Sequence, residues 1–310
     1  MIVFHESKRQ SHAFHLHLGV HKTGSTFLQK TFLNNSDQLE SADLAYLPLA
    51  EMRRDVTSRI LQASRLNVGT EGSCLSACRD ALAAAMDGRR SILLSDENLL
   101  GSLYKFSRRI GAYPRAARNV GVLAKLLDPA MKIVIYMGLR DYPQWLETAY
   151  LQILKRRRLL SFESFIGGVS LESISWPSLV GRISARVPGA TIVLWSYEAF
   201  ARDNHWLMDR LSLQFGVASL TPVACRSNPS LSAIAHQVLM ACRESGIREE
   251  HVPRVLKFVR KRLSIAQGYA KPAFFPGHVS ASLSARYARD LADCARMPRV
   301  VFLESPMPSP

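Results

Sequence analysis

The stretch HLHLGVHKTGSTFLQ (residues 15–29) decides the fold class of this 310-residue chain. Alternating apolar residues before its first glycine predict a buried strand, and the residues after Gly24 predict a helix. A glycine-containing turn from strand to helix gathers free backbone N–H groups at the helix N-terminus, where anions bind. The hydroxyls of Ser25 and Thr26 and the charge of Lys22 would add to that site. The stretch therefore predicts an anion-binding loop.

Short apolar runs alternate with helical patterns on both sides of this loop. The predicted strands are Phe14–Leu18, Ser91–Leu94, Lys132–Met137 and Thr191–Trp195. The predicted helices are Thr26–Asn34, Ser73–Met86, Ala116–Leu127, Pro143–Arg158 and Ser178–Val187. Strands joined by helical crossovers form a parallel sheet that is covered on both faces. The expected fold class is therefore α/β, a three-layer sandwich with a central parallel sheet.

The chain becomes mainly helical after about residue 200. The predicted helices there are Phe200–Phe215, Ser230–Glu244, Val252–Leu263 and Ser280–Ala295. The sequence shows no internal repeat and no Gly/Ser linker. We therefore expect a single domain over residues 1–310, with an α/β core at 13–200 and a mainly helical part at 200–304.

The loop departs from the P-loop of ATPases and GTPases, which places lysine directly after its second glycine. Here Ser25 follows Gly24, and Lys22 lies two residues before that glycine. Residues 17–29 instead resemble the phosphosulfate-binding loop of bacterial sulfotransferases of the heparan-sulfate type, H-x-G-x-x-K-T-G-[ST]-T-x-L-Q. These enzymes use 3′-phosphoadenosine 5′-phosphosulfate (PAPS) as donor. The resemblance implies that PAPS is bound by Lys22, Thr23, Gly24, Ser25 and Thr26.

The same family has a second donor motif, an arginine at the end of a later strand followed by a hydroxyl about eight residues on. Both bind the 3′-phosphate of PAPS. By resemblance these are Arg140, after the strand at 132–137, and Thr148, where the family usually has serine. The stretch RSNPSLS (226–232) is similar to R-x-N-x-S-L-S in these relatives, which implies a place for Arg226 near the nucleotide.

Two acids follow the predicted strand Ser91–Leu94. Related bacterial sulfotransferases read S-x-E-x-L at this position, as residues 95–99 do here. The resemblance implies that Glu97 is the general base, and that Lys22 stabilises the bridging oxygen as 3′-phosphoadenosine 5′-phosphate leaves. The alternative is that both acids cap the next helix, a role we expect for Asp96.

The resemblance implies a PAPS-dependent sulfotransferase, acting on a hydroxyl or amine of an acceptor that is a carbohydrate or glycolipid and can be acidic. Two alternatives stay open. A P-loop kinase or other NTP-binding protein would share the fold. A basic nucleic-acid-binding protein would explain the formal net charge of +15, although aromatic residues are only 8% and follow no basic-aromatic stripe.

The amino-acid composition excludes several classes of protein. A hydrophobic fraction of 47% excludes a disordered chain, and no apolar run approaches the roughly 20 residues of a membrane span. The first residues turn polar after four positions, so we expect no signal peptide and a soluble, cytoplasmic protein. Five cysteines without CxxC spacing argue against disulfides or zinc, and no metal is expected.

Two further groups of residues carry weaker predictions. His15 and His17 share one face of the first strand, which favours core positions, and His21 lies in the loop. The basic clusters at 155–158 and 257–262 are expected to be solvated. A sharper alternative is that these clusters line a groove for an acidic glycan or make peripheral contact with lipid headgroups.

Overall fold

The computed structural model describes residues 12–66, 72–103, 105–107, 109–156, 159–224 and 231–305. Within these ranges it contains six parallel strands in one sheet and a separate two-stranded hairpin. The sheet strands are β1 (Ala13–His17), β2 (Leu44–Tyr46), β3 (Ser91–Ser95), β6 (Lys132–Leu139), β7 (Thr191–Ser196) and β8 (Val300–Phe302). The hairpin pairs β4 (Phe106–Ser107) with β5 (Gly111–Ala112). The sheet order is β2-β3-β1-β6-β7-β8.

Helices connect the strands and cover the sheet. They are α1 (Ser25–Asn34), α2 (Ser36–Ser41), α3 (Leu49–Glu51), α4 (Ser58–Ala63), α5 (Gly72–Met86), α6 (Ala116–Ala124), α7 (Tyr142–Lys155), α8 (Phe162–Ile166), α9 (Trp176–Arg186), α10 (Tyr197–Arg202), α11 (His205–Phe215), α12 (Ala233–Glu244), α13 (Val252–Arg262) and α14 (Gly277–Ala295). A π-helical segment covers Met52–Thr57, and short 3₁₀ helices cover Glu97–Leu100, Leu171–Ser173, Glu249–His251 and Ile265–Gln267.

The expected α/β fold class is confirmed. Side chains alternate between the two faces of each strand, so Ile92 and Leu94 of β3 join one hydrophobic cluster and Leu93 joins another. The first cluster packs under helices α5–α9 and α12–α14, and the second packs under α1, α2, α10 and α11. Burial on both faces explains why the strands are continuous apolar runs in the sequence.

The four predicted strands are all present, but two edge strands were missed. β2 and β8 have only three residues each, too few to show an alternating pattern. β8 pairs with β7, so the mainly helical part after residue 200 also supplies one edge of the sheet.

Several predicted helix limits were wrong. The single helix expected at Phe200–Phe215 is two helices, because Asp203 has an extended backbone and its carboxylate accepts a hydrogen bond from the His205 N–H. Helix α9 begins at Trp176, two residues earlier than expected, since the Ser175 hydroxyl caps it. Helices α6 and α7 end earlier than predicted, at Ala124 and Lys155.

The strand order determines where the candidate site forms. β1 lies between β3 and β6, with His17 in register with Ser95 on one side and Tyr136 on the other. Parallel neighbours lie about 4.8 Å apart and end at the same edge of the sheet. The residues that follow β1, β3 and β6 therefore emerge side by side, at the edge where α/β proteins bind ligands.

Two histidines of β1 belong to the core, as expected. His15 is hydrogen-bonded through Nδ1 to the Tyr136 hydroxyl at 2.8 Å, and His17 through Nδ1 to the Ser95 hydroxyl at 2.7 Å. Burial lowers the pKa of His15 to about 4 and that of His17 to about 3. Both rings are therefore neutral in the folded protein at neutral pH.

These two histidines should make the protein lose stability on mild acidification. The unfolded chain binds protons at histidine below pH 6.5, while the folded chain does not until the pH reaches the depressed pKa values. Their contribution is complete above pH 6.5 and is lost as the pH falls below it, by up to about 1.4 kcal/mol per pH unit for each histidine. Urea unfolding between pH 7 and pH 5 measures this slope.

The variants His15→Gln and His17→Gln should each flatten that pH dependence, whatever they do to the stability at pH 7. His278→Gln is the control, since His278 is exposed on α14. An unchanged slope in both core variants would show that these histidines do not cause the acid sensitivity.

Candidate active site

The loop between β1 and α1 is shaped by glycine. Gly24 has a φ of +88°, and a Cβ atom there would lie 2.4 Å from Cε1 of Phe200. Only glycine meets both conditions, because other residues are strained in this conformation and the Phe200 ring would have to move. The close contact with Phe200 brings the loop against α10.

The first turn of α1 presents donors that a ligand can meet, although the Phe27 N–H already donates to the Gly24 carbonyl at 2.9 Å. The leading N–H groups of any α-helix have no intrahelical acceptor, and together they carry a partial positive charge. Ser25, the first residue of α1, is 6% exposed, and its hydroxyl has no hydrogen-bond partner among the described residues. Thr26 follows it and is exposed. The helix start can therefore accept an anion.

Lys22 lies in the loop between β1 and α1 and has a φ of +72°, which is unusual for a residue other than glycine. Two contacts hold it there. Its carbonyl accepts a hydrogen bond from Nη1 of Arg140 at 2.7 Å, and its Nζ donates to Oε1 of Gln152 on α7 at 3.0 Å. Burial lowers the pKa of Lys22, and the negative charge of Glu97 opposes that shift.

Arg140 follows β6 and joins the neighbouring elements. Its guanidinium lies over the Tyr197 ring, 4.5 Å from the ring centre, and its Nε is buried without a hydrogen-bond partner among the described residues. Thr148 lies on α7, where its hydroxyl donates to the Gln144 carbonyl at 2.7 Å and keeps its lone pairs for another donor. Both residues line the same cavity as the loop.

Two of the predicted donor-binding residues differ from the other candidates. Thr23 is buried, and its hydroxyl donates to the Val20 carbonyl at 2.5 Å, so this side chain braces the loop. Only the backbone of Thr23 remains for a ligand. Arg226 lies outside the described residues.

Glu97 follows β3 and is held by two donors. Nε2 of Gln29 donates to its Oε2 at 2.9 Å, and Nη2 of Arg53 donates to its Oε1 at 3.1 Å. Arg53 also reaches Oδ1 of Asp96 through Nη2 at 3.1 Å. The carboxylate of Glu97 is thus fixed in direction while its side chain stays 17% exposed to the cavity.

Asp96 has the structural role that its position predicted. Its Oδ1 accepts a hydrogen bond from the Asn98 N–H at 3.1 Å and caps the 3₁₀ helix that begins at Glu97. The capping prediction for Asp96 is confirmed. Burial and the neighbouring Glu97 raise the pKa of Asp96, while Arg53 opposes that rise.

These residues line one large cavity of about 1960 Å³. It brings together Lys22, Gly24, Ser25, Thr26, Glu97, Arg140 and Thr148. Among its described lining residues, ten are Lys or Arg and two are Glu: Lys22, Lys30, Arg53, Arg65, Lys105, Arg115, Arg140, Lys155, Arg156 and Lys271, with Glu97 and Glu147. Such an excess of positive charge in a concave site attracts anionic ligands.

Sequence reasoning missed three residues that hold the site. Gln29 is the last residue of the stretch quoted above, but nothing in the sequence indicates that its side chain hydrogen-bonds to Glu97. Arg53 belongs to the π-helical segment and Gln152 to α7, and no motif marks either of them. In the described ranges, no three or more His, Cys, Asp or Glu residues come together as a ligand set for a metal ion.

No family model matches this chain, and no curated protein is significantly similar to it. A solved structure described as a sulfotransferase from Alicyclobacillus acidocaldarius is similar in part. It is 18% identical, the match covers 76% of this chain and 92% of that chain, and the TM-score is 0.39. A similarity this low does not establish function.

No described helix is long and apolar enough to cross a membrane.

Proposed function

We propose that this protein is a sulfotransferase that moves the sulfuryl group of PAPS to a hydroxyl or amine of a carbohydrate or glycolipid acceptor. One observation carries the proposal: the anion-accepting start of α1, the cations Lys22 and Arg140, and the carboxylate of Glu97 all face one cavity. They reach it from the ends of three adjacent strands, β1, β6 and β3.

The donor would bind along the α1 side of the cavity. The N–H groups at the helix start and the Ser25 hydroxyl suit the 5′-phosphosulfate, because the helix end carries positive charge and the hydroxyl has no partner among the described residues. Arg140, whose Nε has no hydrogen-bond partner in the part of the chain that the structure describes, suits the 3′-phosphate together with the Thr148 hydroxyl.

The chemistry would then divide between two residues. The acceptor oxygen attacks sulfur as its proton passes to Glu97, and the bond from sulfur to the bridging phosphate oxygen breaks on the opposite side. Negative charge develops on that bridging oxygen as 3′-phosphoadenosine 5′-phosphate leaves. The ammonium of Lys22 would stabilise this charge, which lowers the barrier because the interaction strengthens in the transition state.

Gln29 and Arg53 would aim the base. Each donates to a different oxygen of Glu97, so the carboxylate cannot rotate freely. Each oxygen keeps a lone pair for the acceptor proton, since a carboxylate oxygen accepts two hydrogen bonds. The positive lining of the rest of the cavity favours an acidic acceptor.

Calorimetric titration with 3′-phosphoadenosine 5′-phosphate, beside ADP and ATP with magnesium, tests this function. We expect binding of the first nucleotide without added metal, and binding at least about tenfold weaker when the 3′-phosphate is missing. Preference for ATP with magnesium would replace the proposal by a P-loop kinase. If the protein bound a random oligonucleotide but none of these three nucleotides, a nucleic-acid-binding protein would be favoured.

A further inference from the structure

Helix α13 (Val252–Arg262) has one face in the core and one in solvent. Val252, Leu256 and Val259 are buried in the larger hydrophobic cluster. The opposite face, which we call the α13 outer face, consists of exposed residues at helical spacing: Arg254, Lys257, Phe258, Lys261 and Arg262. Phe258 is 55% exposed and has cations on both sides along the helix.

All charged side chains of this helix are positive. Its eleven residues include five Lys or Arg and no Asp or Glu. None of the ion pairs found among the described residues involves a residue of α13. Three of the five cations, Arg260, Lys261 and Arg262, lie in the last turn, where the helix dipole favours positive charge, whereas Arg254 and Lys257 lie before that turn. An exposed phenylalanine amid unpaired cations leaves both groups for an external partner.

Helix α13 leads into residues that line the cavity described above. Ile265 and Ala266, in the 3₁₀ helix that comes after α13, line the cavity, and so does Lys271. Burial, together with the charges of Lys22 and Arg260, lowers the pKa of Lys155 in the cavity wall to about 8. Arg260 is therefore within electrostatic reach of the cavity, and the positive field continues from its lining onto α13.

We propose that the α13 outer face docks on the surface of an anionic lipid bilayer, with Phe258 inserted among the headgroups. Lysine and arginine around an apolar residue fit such a surface, since each cation near it contributes attraction and the apolar side chain gains from leaving water. A soluble polyanion would use the cations and leave Phe258 in water.

The docking proposal stands independently of the proposed sulfuryl transfer, because it concerns binding to lipid alone. Vesicle co-sedimentation in moderate salt tests it, with phosphatidylcholine alone and with phosphatidylcholine containing one quarter phosphatidylglycerol. We expect binding to the anionic vesicles and little to the neutral ones. The triple variant Lys257→Gln/Phe258→Ala/Lys261→Gln should bind the anionic vesicles at least about tenfold more weakly.

The triple variant Arg79→Gln/Arg210→Gln/Leu213→Ala is the matched control. It removes two exposed positive charges and one exposed apolar side chain, Leu213 at 73% exposure, from α5 and α11. Its affinity for the vesicles should change by less than about twofold, and thermal unfolding should show both triples folded. If both triple variants lost the same affinity for anionic vesicles, binding would depend on net charge alone and the proposal would be overturned. Failure of the native protein to bind anionic vesicles would also overturn it.

The single variant Phe258→Ala separates a bilayer from a soluble acidic polymer. On the docking proposal it weakens vesicle binding about threefold or more and leaves heparin binding unchanged. A different result would make the face a polyanion site and the bilayer proposal wrong. In that case Phe258→Ala leaves vesicle binding intact, and Lys257→Gln/Lys261→Gln weakens binding to heparin as much as binding to vesicles.

Discussion

Glu97→Gln should lower kcat by roughly 10²- to 10⁴-fold while the affinity for 3′-phosphoadenosine 5′-phosphate stays within about threefold of the native value. The amide cannot accept the acceptor's proton, so the proposed base is lost. The proposed nucleotide site consists of the α1 start, Lys22 and Arg140, and none of their described hydrogen bonds goes to Glu97. The measurement is steady-state sulfation of a carbohydrate acceptor, together with calorimetry on the same preparations.

The surroundings of Glu97 make this a mild structural change. The amide oxygen of the new side chain can accept from either Gln29 or Arg53, and the amide nitrogen then faces the other donor. Gln29 is buried whereas the Arg53 side chain is 42% exposed, so we expect the amide nitrogen to face Arg53, where water can intervene, and a loss of stability no larger than about 1 kcal/mol.

Glu147→Gln is the control for the chemical change itself. Glu147 lines the same cavity, and its Oε1 accepts hydrogen bonds from the N–H groups of Phe274 and Phe275. A glutamine oxygen can still accept both, so turnover should change less than about threefold. If Glu97→Gln retained full turnover, Glu97 would be an anchor for Arg53 and the base would have to be sought elsewhere.

The main parts of the fold and of the candidate site could be predicted from local sequence. The loop at residues 19–24, Arg140 and Glu97 each follow a strand that its own apolar run marks. Parallel strands end at one edge, so the three motifs could be expected on the same side of the sheet. Their adjacency depends on the order β3-β1-β6, which local patterns do not encode, because crossover helices of similar length permit several orders.

The contacts that hold the site could not be predicted, because they join distant parts of the chain. Arg53 reaches Glu97 across 44 residues, and Lys22 reaches Gln152 across 130. No periodicity or spacing links such pairs. The requirement for glycine at position 24 is partly of the same kind. Its turn conformation is a local feature, whereas the contact with Phe200 exists only in the fold.

Arg140→Ala should weaken binding of 3′-phosphoadenosine 5′-phosphate by roughly 10- to 150-fold, because a charge-assisted hydrogen bond to phosphate contributes about 1.5–3 kcal/mol. Arg140 also holds the Lys22 carbonyl, so the substitution disturbs the loop as well. Adenosine 5′-phosphate, which lacks the 3′-phosphate, separates the two effects. Its affinity should fall only by the part that the loop contributes, and calorimetry with both nucleotides gives the difference.

Two further variants complete this test of the proposed 3′-phosphate site. Arg140→Lys should restore less than half of the lost binding free energy, since an ammonium is a point charge and cannot donate through a planar fork or lie over Tyr197 in the same way. Arg115→Ala, which removes an exposed arginine from the same cavity, should leave the affinity within about threefold. If Arg140→Ala weakened the binding of both nucleotides by the same factor, Arg140 would support the loop and the 3′-phosphate would be bound by other residues. An equal loss from Arg115→Ala would instead trace the affinity to the overall positive charge of the cavity.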